Sequence, residues 1–215
     1  MWDTWLYMAL LGLSAGGYCL LFSSLSLPLR WLALHQLVTA LTMGGALAYV
    51  FVARHHSNLF IFHGLIIVQY SLLAAMYAGI LHNKALKRIA LVSIPTFAFI
   101  ALLIASTIQP WNQVNSYATI LFNLLITFFA AAYIQVLFSN KYIKRVEREP
   151  LFWVSAGLFF TSLGNFFVQG LLNYLLQQSN QAALTVYWVE ELMGMILTSL
   201  FIVALLVYKR WLFHA

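Results

Sequence analysis

The amino-acid sequence predicts an all-α, polytopic membrane protein with seven transmembrane helices, an N-terminus outside the cell and a C-terminus in the cytoplasm. Three observations predict this class: the composition, the spacing of the apolar segments and the distribution of basic residues between them. Of 215 residues, 63% are hydrophobic and 7% are charged, whereas soluble domains carry about 25% charged residues to hydrate their surface. The composition excludes a soluble globular protein and indicates that lipid contacts most of the surface.

Seven apolar segments remain when the chain is divided at its clusters of charged and amide residues. A helix needs roughly 20 apolar residues to cross the hydrocarbon of a bilayer. Each segment must be helical, because backbone groups exposed to lipid have to form hydrogen bonds within their own segment. The predicted spans are residues 4–23, 31–53, 59–81, 89–109, 116–138, 151–175 and 187–208.

The interruptions between the segments justify the spans in order. The first span follows Asp3 and lacks the basic start of a cleavable signal peptide, so we expect it to be retained. Arg30 precedes the second span, Arg54 and two histidines precede the third, and a basic cluster precedes the fourth. The last three connections are rich in amides or charges: residues 109–115, 140–149 and 177–185. None of them is long enough to be a domain, so residues 1–215 are predicted to form one transmembrane domain.

The basic residues fall almost entirely on one side of the predicted bundle. Ten of the eleven Lys and Arg residues lie in the connections on that side, and only Arg54 lies on the other. The positive-inside rule places the basic side, and with it the C-terminus, in the cytoplasm. The net charge of +6 is therefore interpreted as a topology signal, and nucleic acid is not an expected partner.

Several kinds of chemistry are excluded or disfavoured by the residues that the chain lacks. Cys19 is the only cysteine, which excludes an intramolecular disulfide and a cysteine-based zinc site. A retinal Schiff base needs a lysine midway along the last span, whereas Lys209 lies at its end. The histidines His35 and His63 are expected at opposite depths, which disfavours a haem. No catalytic motif appears, so we expect neither an enzyme nor a cofactor.

Polar residues near the outer ends and near the middle of the spans predict an outward-facing ligand or proton pocket. Glu190 and Glu191 are the only carboxylates expected near or within the bundle, and Glu190 shares a helix face with Gly194 and Thr198. A polar side chain in hydrocarbon needs a partner, which makes each one a functional candidate. The predicted pocket residues are His55, His56, His63, Gln69, Asn165, Glu190 and Glu191.

Other interpretations of these residues are left open by the sequence. A histidine titrates near neutral pH, so a pair of His63 with Glu190 suits a proton sensor. The same side chains can ligate zinc, but no two histidines share a helix face at metal-binding spacing, and no metal is predicted. Both glutamates could instead lie in the hydrated headgroup region, where they need no partner.

The sixth span carries a stripe of small and amide residues that predicts a close-packing seam. Within it, Asn165 is expected to form a structural hydrogen bond with Asn123 or Gln69, or else to contact a ligand. The members of the stripe are Ser155, Gly157, Ser162, Gly164, Asn165, Gln169, Gly170 and Asn173.

Two stretches of the chain resemble a group of poorly characterised bacterial seven-helix membrane proteins, best represented in Bacteroidota. The first is Asn58-Leu59-Phe60-Ile61-Phe62-His63, followed by Gln69 and the basic turn at residues 84–88; the second is Glu149-Pro150-Leu151-Phe152-Trp153, followed by Gly157 and Gly164. Related regions are the sensor parts of seven-transmembrane receptors with intracellular signalling modules. The resemblance implies a sensory role in the bacterial cytoplasmic (inner) membrane. The chain departs from the pattern at Gln69, where an acidic residue is expected, and no effector domain of its own is expected.

The leading functional prediction is a receptor-like sensor or accessory signalling subunit that binds a small molecule and acts through a separate cytoplasmic or membrane partner. The predicted docking residues are Lys141, Lys144, Arg145 and Arg148 in the longest cytoplasmic loop. Anionic membrane lipid also attracts such a loop, at about 1 kcal/mol per basic residue. The alternative is a small proton- or solute-coupled transporter, although the first and last three spans show no repeat. The sequence favours no oligomeric state.

Overall fold

The chain folds into a bundle of α-helices. The computed structural model describes the backbone at residues 2–52, 58–139, 145–178 and 180–214, and the side chains within residues 4–50, 58–139, 145–171 and 188–210. The helices are α1 (Trp2–Leu20), α2 (Leu27–Val52), α3 (Leu59–Ile80), α4 (Lys84–Thr107), α5 (Ser116–Ser139), α6 (Pro150–Gln178) and α7 (Asn180–His214), with a short 3-10 helix at Val146–Arg148. The described residues form no strand, and the predicted all-α class is confirmed.

Six helices, α2 to α7, contain a stretch that is long and apolar enough to cross a membrane. The apolar part of α1, Thr4–Leu20, is shorter. At 1.5 Å per residue it measures about 25 Å, slightly less than the roughly 30 Å of a typical hydrocarbon layer. These lengths support a multi-pass membrane protein.

The structure corrects the predicted connection between the last two spans. Helix α6 continues to Gln178 and α7 begins at Asn180, so residues predicted as a loop at 177–185 are mostly helical. No Gly or Pro lies between Gly170 and Gly194, and the Gln, Ala and Leu residues there are good helix formers. With 35 residues, α7 is about 52 Å long and exceeds the length that the hydrocarbon requires.

Helix α4 begins earlier than predicted because a side chain caps its first turn. Asn83 Oδ1 accepts hydrogen bonds from the backbone N–H groups of Ala85 and Leu86, at 2.8 and 3.4 Å. These bonds satisfy donors that have no partner within the helix. The basic residues after Asn83 therefore lie in the first turns of α4, whereas the sequence placed them in a connection.

Helix α2 also begins before its predicted start, at Leu27. Pro28 is tolerated there because the first turn of a helix has no partner for its backbone N–H group. The side chain of Arg30 donates to the carbonyl oxygens of Leu25 and Ser23, both at 2.9 Å. Arg30 therefore fixes the α1–α2 connection from within the helix.

Six of the helices form a ring. Helix α1 contacts α2 and α7, α3 contacts α2 and α5, and α6 contacts α5 and α7, while α4 packs against α3 and α5. The buried hydroxyl of Tyr18 in α1 donates to the carbonyl oxygen of Phe201 in α7 at 3.0 Å. This bond joins the first helix to the last.

The ring has two unlike halves. We call the end where α2, α4 and α6 begin the basic end, and the end where α1, α3 and α5 begin the amino end. Toward the basic end the interior is filled by fully buried side chains, among them Tyr77, Phe129 and Phe201. The Tyr77 hydroxyl donates to Ser155 Oγ at 3.3 Å and so joins α3 to α6. The half toward the amino end contains a cavity.

Candidate functional site

The cavity has a volume of about 530 Å³ and lies inside the ring, toward the amino end. On α3 its wall extends from Leu59 to Gln69, a rise of about 15 Å along the helix. It therefore reaches about the middle of a hydrocarbon layer of roughly 30 Å. Small-molecule sites commonly measure about 300–1,000 Å³ and combine an apolar wall with a few polar groups. The polar lining here includes Gln69, Asn115, Asn123, Asn165, Gln169, Glu190 and Glu191.

Four buried side-chain atoms on the wall have no hydrogen-bond partner: Asn115 Oδ1, Asn123 Nδ2, Asn165 Oδ1 and Gln169 Oε1. They are half of the eight such atoms among the described residues. Buried polar groups are normally bonded, and leaving one unsatisfied costs about 1–3 kcal/mol. Their concentration on one wall leaves four hydrogen-bonding groups for water or for a small molecule inside the cavity.

Glu190 and Gln169 link α7 to α6 across this wall. Gln169 Nε2 donates a hydrogen bond to Glu190 Oε1. The amide nitrogen donates and the carboxylate oxygen accepts in this contact, which leaves Gln169 Oε1 without a partner. Glu190 and the neighbouring Glu191 are both half-buried. The two carboxylates thus belong to the wall of the cavity.

The structure brings together four of the predicted pocket residues, because Gln69, Asn165, Glu190 and Glu191 all line this cavity. His55 and His56 lie outside the described residues.

His63 is not part of the cavity wall and forms no hydrogen bond with Glu190. It is 2% exposed; its Nε2 pairs with the carbonyl oxygen of Gln113 at 3.1 Å, and its ring centroid lies 5.1 Å from that of Trp111. Leu59, Phe62, Leu65, Ile66 and Gln69 line the cavity on α3, and His63 lies at the edge of this face, about 40° from Leu59 and about 100° from Phe62 around the helix. Its observed role is to hold the α4–α5 connection.

The predicted hydrogen bond from Asn165 to Asn123 or Gln69 is not observed. Gln69 Nε2 donates instead to Thr39 Oγ1 on α2, at 2.9 Å. Asn123 Nδ2 and Asn165 Oδ1 remain without partners on the cavity wall. The ligand-contact interpretation of Asn165 therefore fits the geometry better than the structural one.

Sequence reasoning did not select three further amide residues of the wall as pocket residues, Asn115, Asn123 and Gln169. Gln169 could have been found, since it follows Asn165 by one helical turn and shares its face. Asn123 was considered as a partner for Asn165 and was not included among the predicted pocket residues. Asn115 lies in the α4–α5 connection, where no periodicity indicates the direction of a side chain.

Two of the predicted docking residues, Arg145 and Arg148, are described, whereas Lys141 and Lys144 lie outside the described residues. Arg145 precedes the 3-10 helix and Arg148 ends it, and both are exposed. The indole Nε1 of Trp153 donates to the carbonyl oxygen of Glu147 at 2.9 Å. This bond attaches the 3-10 helix to the first turn of α6.

No group of three His, Cys, Asp or Glu side chains that could hold a metal ion occurs in the described part of the chain. What the cavity wall offers is a set of hydrogen-bonding groups and two carboxylates within an otherwise apolar surface. Such a wall can bind and orient a small molecule. The resemblance to bacterial seven-helix sensors stays a prediction, because comparison of the chain with family models, curated proteins and solved structures finds no match.

Proposed function

We propose that the protein is a receptor-like membrane sensor or accessory signalling subunit: a small molecule enters the cavity from outside the cell, and a separate partner reads the occupied state at the basic end. The main support is the contrast between the two halves of the ring. One half contains a cavity with unpartnered polar atoms, and the other is filled by a packed core. A receptor needs a binding site at one end and a continuous structure that connects it to the other.

The proposed orientation has seven spans, with the cavity facing outside and the basic end in the cytoplasm. The positive-inside rule favours it, because all the described Lys and Arg residues lie at or near the basic end: Arg30, Lys84, Lys87, Arg88, Arg145, Arg148, Lys209 and Arg210. Helix α1 would be the seventh span. A slightly short helix is accommodated by local thinning of the bilayer at modest cost. The resemblance further suggests the bacterial cytoplasmic membrane.

Helix α6 provides a direct route from the cavity to the basic end. It carries Asn165 and Gln169 on the cavity wall and begins at Pro150, just after the 3-10 helix. A continuous helix moves as a rigid element, and small helix shifts are a common form of switching. A ligand that bridges α6 and α7 would therefore move the exposed residues Arg145 and Arg148, where a partner is proposed to dock.

A small transporter is the second candidate, and the depth of the cavity favours it. Transporters bind their substrates near the middle of the membrane, the depth that Gln69 and Asn123 reach. Transport would require the packed half to open, including the contact between Tyr77 and Ser155. A sensor does not require such a path.

Occupying the cavity covalently tests the sensor proposal without knowledge of the natural ligand. In a Cys19→Ser background, Asn165→Cys would be modified with 2-aminoethyl methanethiosulfonate in lipid nanodiscs, and backbone hydrogen exchange measured by mass spectrometry. We expect exchange to change several-fold at Val146–Arg148 and in the first turns of α6, because exchange reports local opening.

Gly170→Cys is the matched control for this experiment. Gly170 lies on the same helix but outside the cavity wall, and a Cβ atom there meets no atom within 4 Å. The same modification at this position should leave the basic end unchanged. If modified Asn165→Cys alters exchange only around the cavity, occupancy is not transmitted and the sensor proposal fails.

A further inference from the structure

We infer that the cavity takes a small organic cation, a primary amine with an apolar body, whose ammonium group lies against Glu190 and Glu191. This inference rests on the proposed ligand-binding role of the cavity and specifies the chemical class of its ligand.

The charge of the wall is the first support. Among the described residues, the lining contains Glu190 and Glu191 and no Lys, Arg or His. The described contact of Glu190 is with the uncharged amide of Gln169, and no described basic side chain pairs with either glutamate. A charge removed from water is costly unless an opposite charge accompanies it. A cationic ligand supplies that charge, whereas an anion would be repelled.

The hydrogen-bonding groups are the second support. A primary ammonium has three donors and no acceptor. Near the two carboxylates, Gln169 is 6% exposed and its Oε1 has no partner. Asn165 Oδ1, one turn away on the same face of α6, is also unpartnered. The several acceptors of the wall thus suit an ammonium group, with its three N–H donors, better than an alcohol, which has a single O–H donor.

The apolar part of the wall is the third support. Phe62, Phe122 and Tyr7 contribute aromatic rings to it, and Ile66 and Met43 contribute aliphatic surface. Aromatic faces attract cations, and apolar surface favours an apolar body. A cavity of about 530 Å³ has room for a bicyclic aromatic amine.

The ammonium group could reach the site from solution or from a lipid headgroup. Glu191 also lines a smaller cavity of about 190 Å³, together with Leu6, Trp188, Leu192 and Met195. Leu6, Trp188 and Leu192 are more than half exposed, as residues in contact with lipid would be. Phosphatidylethanolamine carries the same primary ammonium as a soluble amine, so the lipid composition is varied in the test.

Three probes of similar shape test the ligand class on the unmodified protein. Binding of tryptamine, the neutral alcohol tryptophol and the anion indole-3-acetate would be measured by calorimetry in phosphatidylcholine nanodiscs. We expect tryptamine to bind most tightly. Glu190→Gln and Glu191→Gln should each weaken tryptamine about 10- to 100-fold, as expected for loss of a hydrogen bond to a charged group, and leave tryptophol nearly unchanged. Glu147→Gln, the same change outside the cavity, is the control.

Nanodiscs of phosphatidylethanolamine distinguish the two sources of the ammonium group. If the lipid occupies the site, the unmodified protein binds tryptamine more weakly in phosphatidylethanolamine than in phosphatidylcholine nanodiscs, and Glu191→Gln shows no such difference. If the amine comes from solution, the affinity of the unmodified protein is the same in both lipids. The ligand class is overturned if tryptamine binds no better than tryptophol or indole-3-acetate, or if neither Gln variant weakens it. Preferential binding of the alcohol or the acid would still leave the cavity as the sensor's ligand site, which the hydrogen-exchange experiment tests separately.

Discussion

Replacing Gly157 with valine is expected to lower the free energy of unfolding by about 1–3 kcal/mol, as overpacking of a tight interior does. A Cβ atom at Gly157 would lie 3.1 Å from the terminal methyl groups of both Leu197 and Leu200 on α7, and 3.3 Å from Leu200 Cβ. The last contact is with an atom held close to the backbone, so α6 and α7 must separate. Small residues allow such close helix packing in membranes.

Gly170→Val is the control for this prediction, because it makes the same change on the same helix in open space. A Cβ atom at Gly170 meets no atom within 4 Å, and valine is favoured over glycine within a helix by a few tenths of a kcal/mol. Reversible unfolding in mixed micelles would measure both variants. Equal stability of the two valine variants would contradict the tight α6–α7 contact.

Asn123→Leu is expected to stabilise the ligand-free protein by about 1–3 kcal/mol, the cost of an unsatisfied buried polar group. Asn123 is 2% exposed, and its Nδ2 has no partner. Leucine has a similar shape and no unsatisfied donor. The same variant should bind cavity ligands more weakly, since stabilising changes at functional sites commonly reduce function.

Thr198→Val provides the comparison for a buried polar group that already has a partner. Thr198 is 3% exposed, and its hydroxyl donates to the carbonyl oxygen of Gly194 at 2.8 Å. Removing a satisfied hydroxyl should change stability by less than about 0.5 kcal/mol. If Asn123→Leu destabilises the protein instead, its amide has a structural role and is not held for a ligand.

The helical class was predictable because hydropathy and the hydrogen-bonding needs of the backbone in lipid act along the whole chain. The ends of the helices were less predictable, since outside the hydrocarbon they depend on local groups. The cap at Asn83 starts α4 early, and the amide-rich stretch at 177–185 contains no Gly or Pro and is mostly helical.

The site was partly predictable for a related reason. Glu190 and Asn165 were found because a polar residue in an apolar span needs a partner. His63 was selected by depth alone, but its ring contacts the α4–α5 connection at Gln113. The seam of the sixth span is confirmed at Gly157, where α7 lies close, and not at Gly170. A small residue indicates close packing only where another helix crosses it.

The central proposal is that the cavity opens to the outside and that the cytoplasmic half of the bundle is closed. The most direct test is to measure the reactivity of single cysteines from each side of the membrane. Three cysteine variants would be made in a Cys19→Ser background: Asn165→Cys on the cavity wall, Ser155→Cys in the packed half and Arg148→Cys at the exposed basic end. Each would be treated with an impermeant, charged methanethiosulfonate in right-side-out and inverted vesicles. We expect Asn165→Cys to react only from outside, Arg148→Cys only from the cytoplasmic side, and Ser155→Cys from neither. Reaction of Asn165→Cys from both sides would contradict a closed cytoplasmic half and favour a transporter.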